Sequence, residues 1–287
     1  MLRPRIIPCL LVKNGGLVET VHFDNPKYVG DPINAVRIFN EKEVDELIVA
    51  DIDATAHNRE PNYTMIRDLA AECRMPLCYA GGVKTPEQIE QIISLGVEKV
   101  GVSSAAIRTP MLISESAKRV GSQSIVVVMD VKKAGLSRRY EIFTHNGTRN
   151  TGLHPVEFAK RAEALGAGEI LVNTIDHDGE MKGYDLDLVD QVREAISLPL
   201  SVLGGAGSLG DIEGLIRRYG IIGAAAGSLF VFKGKYRAVL INYPSRSEKD
   251  ALCSGGTSVA GQESPAPHAK RQALPFNHGS HSDPAGS

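Results

Sequence analysis

Residues Glu46–Ala54 read ELIVADIDA, and residues Glu169–Gly179 read EILVNTIDHDG. In each, a glutamate opens an apolar run of strand length that closes on carboxylates. Three further pairs keep the same order at a similar offset of about 120 residues: IPCLLVKN (Ile7–Asn14) with VVVMDVKK (Val126–Lys133), LCYAGGVKT (Leu77–Thr85) with SVLGGAGSL (Ser201–Leu209), and VGVSSAA (Val100–Ala106) with AAAGSLF (Ala224–Phe230). Self-similarity at one fixed offset marks an internal duplication. The chain therefore reads as two similar halves.

The matched runs belong to a longer series. Arg5–Val12, Glu46–Ile52, Pro76–Ala80, Lys99–Val102, Ser124–Val131, Glu169–Ile175, Pro199–Leu203 and Ile221–Ala226 are rich in Ile, Val, Leu or Ala through most of their positions. That is the pattern of parallel strands buried on both faces. Amphipathic stretches lie between them, and Asp31-Pro32, Thr85-Pro86 and Thr109-Pro110 each pair a capping side chain with a proline in the first helical turn. His154-Pro155 opens a fourth, and Gly96 and Gly121 close two of them. Eight strand–helix units over roughly 245 residues match a (β/α)8 TIM barrel, an α/β fold. Two (βα)4 half-barrels favour closure over the alternative, a doubly wound open sheet. The barrel is placed at residues 1–245. Residues 246–287, Ser/Gly/Pro/His-rich and aperiodic, read as a disordered tail whose histidines (His268, His278, His281) suit solvent better than a metal.

Composition narrows the function. The 287 residues are 43% hydrophobic and 23% charged with a formal net charge of −2. A dedicated nucleic-acid binder would carry a basic surplus, so no nucleic-acid partner is expected. No run is long enough to span a bilayer, and the N-terminus lacks the features of a signal peptide. The four cysteines (Cys9, Cys73, Cys78, Cys253) have neither disulfide-framework nor zinc-site spacing. A cytoplasmic protein without metal or cofactor is the resulting expectation. The 29 glycines are about 10% of the chain against a usual ~7%. Outside the tail they concentrate where strand ends should form the barrel mouth: Gly81-Gly82 after the third strand, Gly204-Gly205 with Gly207 after the seventh. Ser103-Ser104 and Gly227-Ser228 follow the fourth and eighth. Such loops either permit tight turns or present backbone N–H groups to an anion. Two in register suggest a ligand phosphorylated at both ends. Asp51, Asp53, Asp130, Asp176 and Asp178, also at strand ends, are acid/base or ligand-binding candidates, with capping as the alternative.

These residues carry a family resemblance. IIPCL with VK, GDP, DID, GGVKTPEQ, GSQSIVV with D, NGTRNTG, GAGEI, IDHDG with KGYD, and GGAGS together resemble the cyclase subunit of imidazole glycerol phosphate synthase, from about Arg3 to Phe232. The resemblance implies a barrel with a glutaminase docked on its N-terminal face. Ammonia would pass through the barrel to a bis-phosphorylated ribulosyl substrate and close an imidazole ring. It places phosphate loops on Gly82, Ser103, Ser104, Gly205 and Ser228, and a charged gate on Arg5, Glu46, Lys99 and Glu169.

The departures from that pattern set the expected function. The family's two catalytic aspartates fall on Leu11 and Asp130, and a leucine cannot move a proton. Its mobile-loop lysine falls on Glu19, a strand-6 threonine on Asn173 and a strand-7 serine on Leu203. IPCLLVKNGGLVETVHF, KYVGDPINAVRIFNEKEVDELI and GSLFVFKGKYRAVLINYP are more similar to a paralogous branch that accompanies a glutaminase and a sugar amidotransferase in bacterial surface-polysaccharide synthesis. That branch implies ammonia delivery for converting an N-acetyl sugar to an acetamidino sugar. A cyclase working through Asp130 alone, and a non-catalytic scaffold binding a phosphorylated ligand, are the alternatives.

Overall fold

The computed structural model describes residues 3–254. Eight parallel strands form the barrel: β1 (Arg5–Lys13), β2 (Leu47–Asp51), β3 (Leu77–Ala80), β4 (Lys99–Val102), β5 (Ile125–Ala134), β6 (Glu169–Thr174), β7 (Leu200–Leu203) and β8 (Gly223–Ala226). Each pairs with the next, and β1 pairs with β8 in register from Arg5–Gly223 to Pro8–Ala226, so the sheet closes. The open-sheet alternative is thereby excluded. All eight strands fall within three residues of their sequence-based bounds.

Seven helices cover the outside in the connections after β1 to β7: α1 (Pro32–Glu41), α2 (Tyr63–Glu72), α3 (Pro86–Ser94), α4 (Met111–Val120), α5 (Pro155–Ala164), α6 (Leu186–Ala195) and α7 (Leu209–Tyr219). Their starts follow from capping. Asp31 accepts from the Asn34 amide, Thr85 and Gln88 form a reciprocal capping box, and His154 Nδ1 accepts from the Val156 amide. Thr109 does not cap as its sequence suggested. Pro110 holds the cap position of α4 without a side-chain bond, and the Thr109 carbonyl accepts from Leu112 instead.

Side-chain alternation splits the apolar residues into two sets. Strand positions facing the helices join the larger core, with Phe39, Leu47, Ile89 and Val127 fully buried. The inward positions Ile7, Cys9, Ile48, Cys78, Val126, Leu171 and Ala225 fill the barrel, with Leu11, Val128 and Leu203 above them. The barrel is a packed interior rather than an open tube.

Three features depart from the sequence reading. The β1 and β5 strands both continue into antiparallel hairpins, Gly16–Val21 with Asp24–Gly30 and Arg139–Thr144 with Arg149–Asn150. The first turns through Asn14-Gly15, both at positive φ, which suits a two-residue hairpin loop. The same position in each half thus carries the same decoration. Third, residues Arg246–Ser254 form a helix, α8, within the stretch assigned to the tail. It is anchored where Lys249 Nζ meets the Glu43 carbonyl at 2.7 Å and Asp45 Oδ1 at 3.0 Å, and Leu252 joins the core. The folded region therefore extends beyond 245. Residues 255–287, with the tail histidines, lie outside the described residues.

Phe39 on α1 is fully buried against the sheet. Phe39→Ala should lower unfolding free energy by about 3–5 kcal/mol, read from urea denaturation.

Candidate active site at the C-terminal barrel mouth

The strand ends and both hairpins surround one cavity at the C-terminal face, lined among others by Leu11, Glu19, Asp130, Asn173, Ser103 and Ser228. β1 and β5 stand opposite each other in the eight-strand ring, so Leu11 and Asp130 face the mouth from opposite sides. Asn173 Nδ2 donates to Asp130 Oδ1 at 3.0 Å. Burial pushes the Asp130 carboxyl up to about 6; the Asn173 bond opposes that shift and the charge of Asp178 adds to it. A carboxyl near that value can both take and give a proton close to neutrality. Leu11 supplies no partner for it.

Gly82, Gly205, Ser103, Ser104 and Ser228 all reach this cavity. The glycines have a steric reason to be there as well. A Cβ on Gly205, at φ +106°, would lie 2.1 Å from the Gly183 carbonyl, and one on Gly82, at φ +72°, 2.9 Å from Ala54. Tight turns and anion-facing loops are thus compatible at these positions. Ser103 follows β4 ahead of the short helix Ser104–Arg108, and its buried hydroxyl has no protein partner.

The remaining carboxylates are largely engaged in structure. Asp51 Oδ1 accepts from the Asp53 and Ala54 amides and caps the short helix Ile52–Ala56. Asp178 Oδ2 accepts from Thr20 Oγ1 at 2.7 Å and the Phe23 amide at 3.0 Å, pinning the first hairpin over the mouth. Burial raises the pKa of both carboxyls. Asp176 does not line the cavity; its Oδ2 accepts from the Lys133 amide on β5. The sequence reading passed over Arg237, which reaches Ser228 Oγ at 3.2 Å and the Gly179 carbonyl at 3.3 Å. The basic run Lys233–Arg237 just beyond β8 was its signal. Arg108 and His145 at the cavity wall were also passed over.

At the other end of the barrel Arg5, Glu46, Lys99 and Glu169 close a ring. Lys99 Nζ lies 2.8 Å from Glu46 Oε1 and 2.8 Å from Glu169 Oε2, Arg5 Nη2 lies 2.8 Å from Glu169 Oε1, and Arg5 also pairs with Glu46. Ser201 Oγ donates to Glu169 as well. Burial opposes these charges, but pairing prevails: Glu169 is drawn down to about 2, and Arg5 and Lys99 hold their protons more tightly than usual. Among the described residues no group of three or more His, Cys, Asp or Glu is placed to hold a metal ion, and no helix is long and apolar enough to cross a membrane.

A closed parallel barrel built from two halves, with a carboxyl and matched loops at its mouth and a charged ring at its base, defines a duplicated (β/α)8 protein whose site lies at the C-terminal strand ends. Residues 5–237 match the model of the histidine biosynthesis protein family, and the chain belongs to that family. Similar proteins include a provisionally named imidazole glycerol phosphate synthase subunit HisF of Leptospira interrogans, 57% identical over 88% of this chain and 99% of the relative. A likewise provisional HisF subunit of Pseudomonas aeruginosa is 52% identical over 87% and 99%. The imidazole glycerol phosphate synthase subunit HisF of Streptomyces coelicolor is 41% identical over 80% and 91%. The chain is HisF-like.

Asp130 bears a folded pKa above that of an unfolded aspartate, so ionising it costs stability as pH rises from about 4 through 6. Asp130→Asn should therefore raise the melting temperature at pH 8 by the equivalent of about 1–2 kcal/mol and leave it unchanged at pH 4. Thermal unfolding at the two pH values checks this.

Proposed function

We propose that this chain is a synthase subunit that accepts ammonia from a glutaminase docked at the N-terminal barrel face. The ammonia serves amidation of an N-acetyl sugar to an acetamidino sugar, with a sugar amidotransferase as a further partner, rather than imidazole-ring closure. The observation that carries this reading is Leu11 opposite Asp130. Ring closure through a two-carboxylate mouth needs proton transfer from both sides, and one side is an alkyl group. The ring of Arg5, Glu46, Lys99 and Glu169 is the gate through which ammonia enters the barrel. A neutral molecule the size of ammonia needs only a small shift of one ring member to pass, and the other charges stay paired meanwhile. The mouth takes a phosphorylated small molecule on the Gly82, Ser103 and Ser104 side. Operation in the cytoplasm, without a resident cofactor, accords with this role.

A second reading has one observation in its favour. The Asp130 carboxyl, near 6, is suited to acid/base work by itself, so the chain would be an imidazole glycerol phosphate synthase cyclase subunit with one catalytic carboxylate. A scaffold that binds a phosphorylated ligand without catalysis is the third reading, and the partly open mouth serves it equally.

Expression in a histidine auxotroph lacking its cyclase subunit separates the first two, with high ammonium supplied so that a mismatched glutaminase is not limiting. Immunoblotting verifies that the chain is made. No growth without histidine is expected; growth at the rate restored by an authentic cyclase subunit would overturn the proposal.

A further inference from the structure

The two ends of the mouth are not equivalent. At the β4 end, Ser103 Oγ is buried without a partner, and Ser104, Gly82 and Arg108 line open space. At the β8 end a side chain of the protein occupies the corresponding position. Glu19, on the first hairpin, is only 5% exposed, and its Oε2 accepts from Ser228 Oγ at 2.9 Å. Its carboxylate lies so close to Gly227 that a Cβ there would meet Oε2 at 3.0 Å and Oε1 at 3.1 Å. Oε1 accepts no bond. Arg237 Nη2 also donates to the Ser228 hydroxyl, at 3.2 Å. Thr20 and Phe23, through Asp178, hold the hairpin in this position.

We infer that the Glu19 side chain fills the β8 end of the mouth, so that the ligand carries a phosphate at the β4 end only and a smaller, unphosphorylated group at the other. This rests on the reading that the mouth binds a phosphorylated molecule, and it departs from the ligand phosphorylated at both ends that the paired loops suggested. A second phosphate would have to displace a buried side chain that already takes the Ser228 hydroxyl and the space over Gly227. Burial also pushes the Glu19 carboxyl up to about 8; Ser228 and Arg237 oppose that shift and Asp178 adds to it. Near neutrality the group is therefore mostly protonated, and it closes the pocket by occupying it rather than by its charge.

Calorimetric titration with two probes tests this: ribose 5-phosphate, phosphorylated at one end, and ribulose 1,5-bisphosphate, phosphorylated at both. Wild-type chain should bind the monophosphate at least as tightly as the bisphosphate. Glu19→Ala, which empties the pocket, should reverse the order and favour the bisphosphate at least tenfold. Glu19→Ser also empties the pocket, so it serves where the alanine variant does not fold, and it should shift the ratio the same way. A tenfold or greater preference of the wild type for the bisphosphate, or an unchanged ratio in the variants, overturns the role of Glu19 alone. Failure of both esters to bind any of the three proteins overturns the phosphorylated-ligand reading and this inference with it.

Discussion

Four charges at the base of the barrel cannot be buried singly. Glu46 and Glu169 are 3% and 5% exposed, and an isolated carboxylate at such depth would cost several kcal/mol of stability. Arg5 and Lys99 each reach both carboxylates, so every charge in the ring has two opposite neighbours. Three members come from the first half of the duplicated chain and one from the second. The ring therefore requires the two halves to be closed on each other in one register, and the closed sheet in turn aims the strand ends at a common mouth. Replacing any one member leaves a net buried charge, which is more damaging than losing an ordinary surface pair.

The duplication makes the mouth easy to compare with itself. Both halves begin with a long strand that runs on into a hairpin, yet the two strands present different chemistry at the same level: Leu11 on β1, Asp130 on β5. The first hairpin then inserts Glu19 beneath itself, whereas the second brings His145 and Asn146 to the rim. The two-fold repeat of the barrel is one-sided at its mouth. A carboxyl near 6 stands on one side, and the buried Glu19 side chain takes the Ser228 hydroxyl on the other. Ammonia conduction needs neither a second catalytic carboxylate at Leu11 nor a second phosphate pocket, which is why the conduit reading accommodates both losses.

Much of this was legible before any coordinates. Apolar runs with strand length set the eight strands, and the fixed offset set closure, because both signals reside in short local patterns. The hairpins lie outside the eight apolar runs, although Asn14-Gly15 and Asn146-Gly147 are strong turn signals and the segment GLVETV alternates. The α8 helix was missed because RSEKDALCS is too polar to show a core face, and Lys249 holds it through contacts with residues some two hundred positions away. Site membership was harder to read than site location. Nothing local distinguishes Asp130 and Asp51, which both line the mouth, from Asp176, turned to the Lys133 backbone. The charge reversal at Glu19 was visible in the sequence, but its burial against Gly227 depends on how the hairpin folds back.

The claim on which the account depends is that this barrel has kept the family's architecture without its ring-closing chemistry. Purified chain, supplied with saturating ammonium at pH 8 and the bis-phosphorylated ribulosyl precursor of imidazole glycerol phosphate, tests it most directly by following precursor consumption. The account predicts no consumption above the rate in buffer. Turnover at about 1 s⁻¹ or faster, the ordinary range for an enzyme acting on its own substrate, would contradict it.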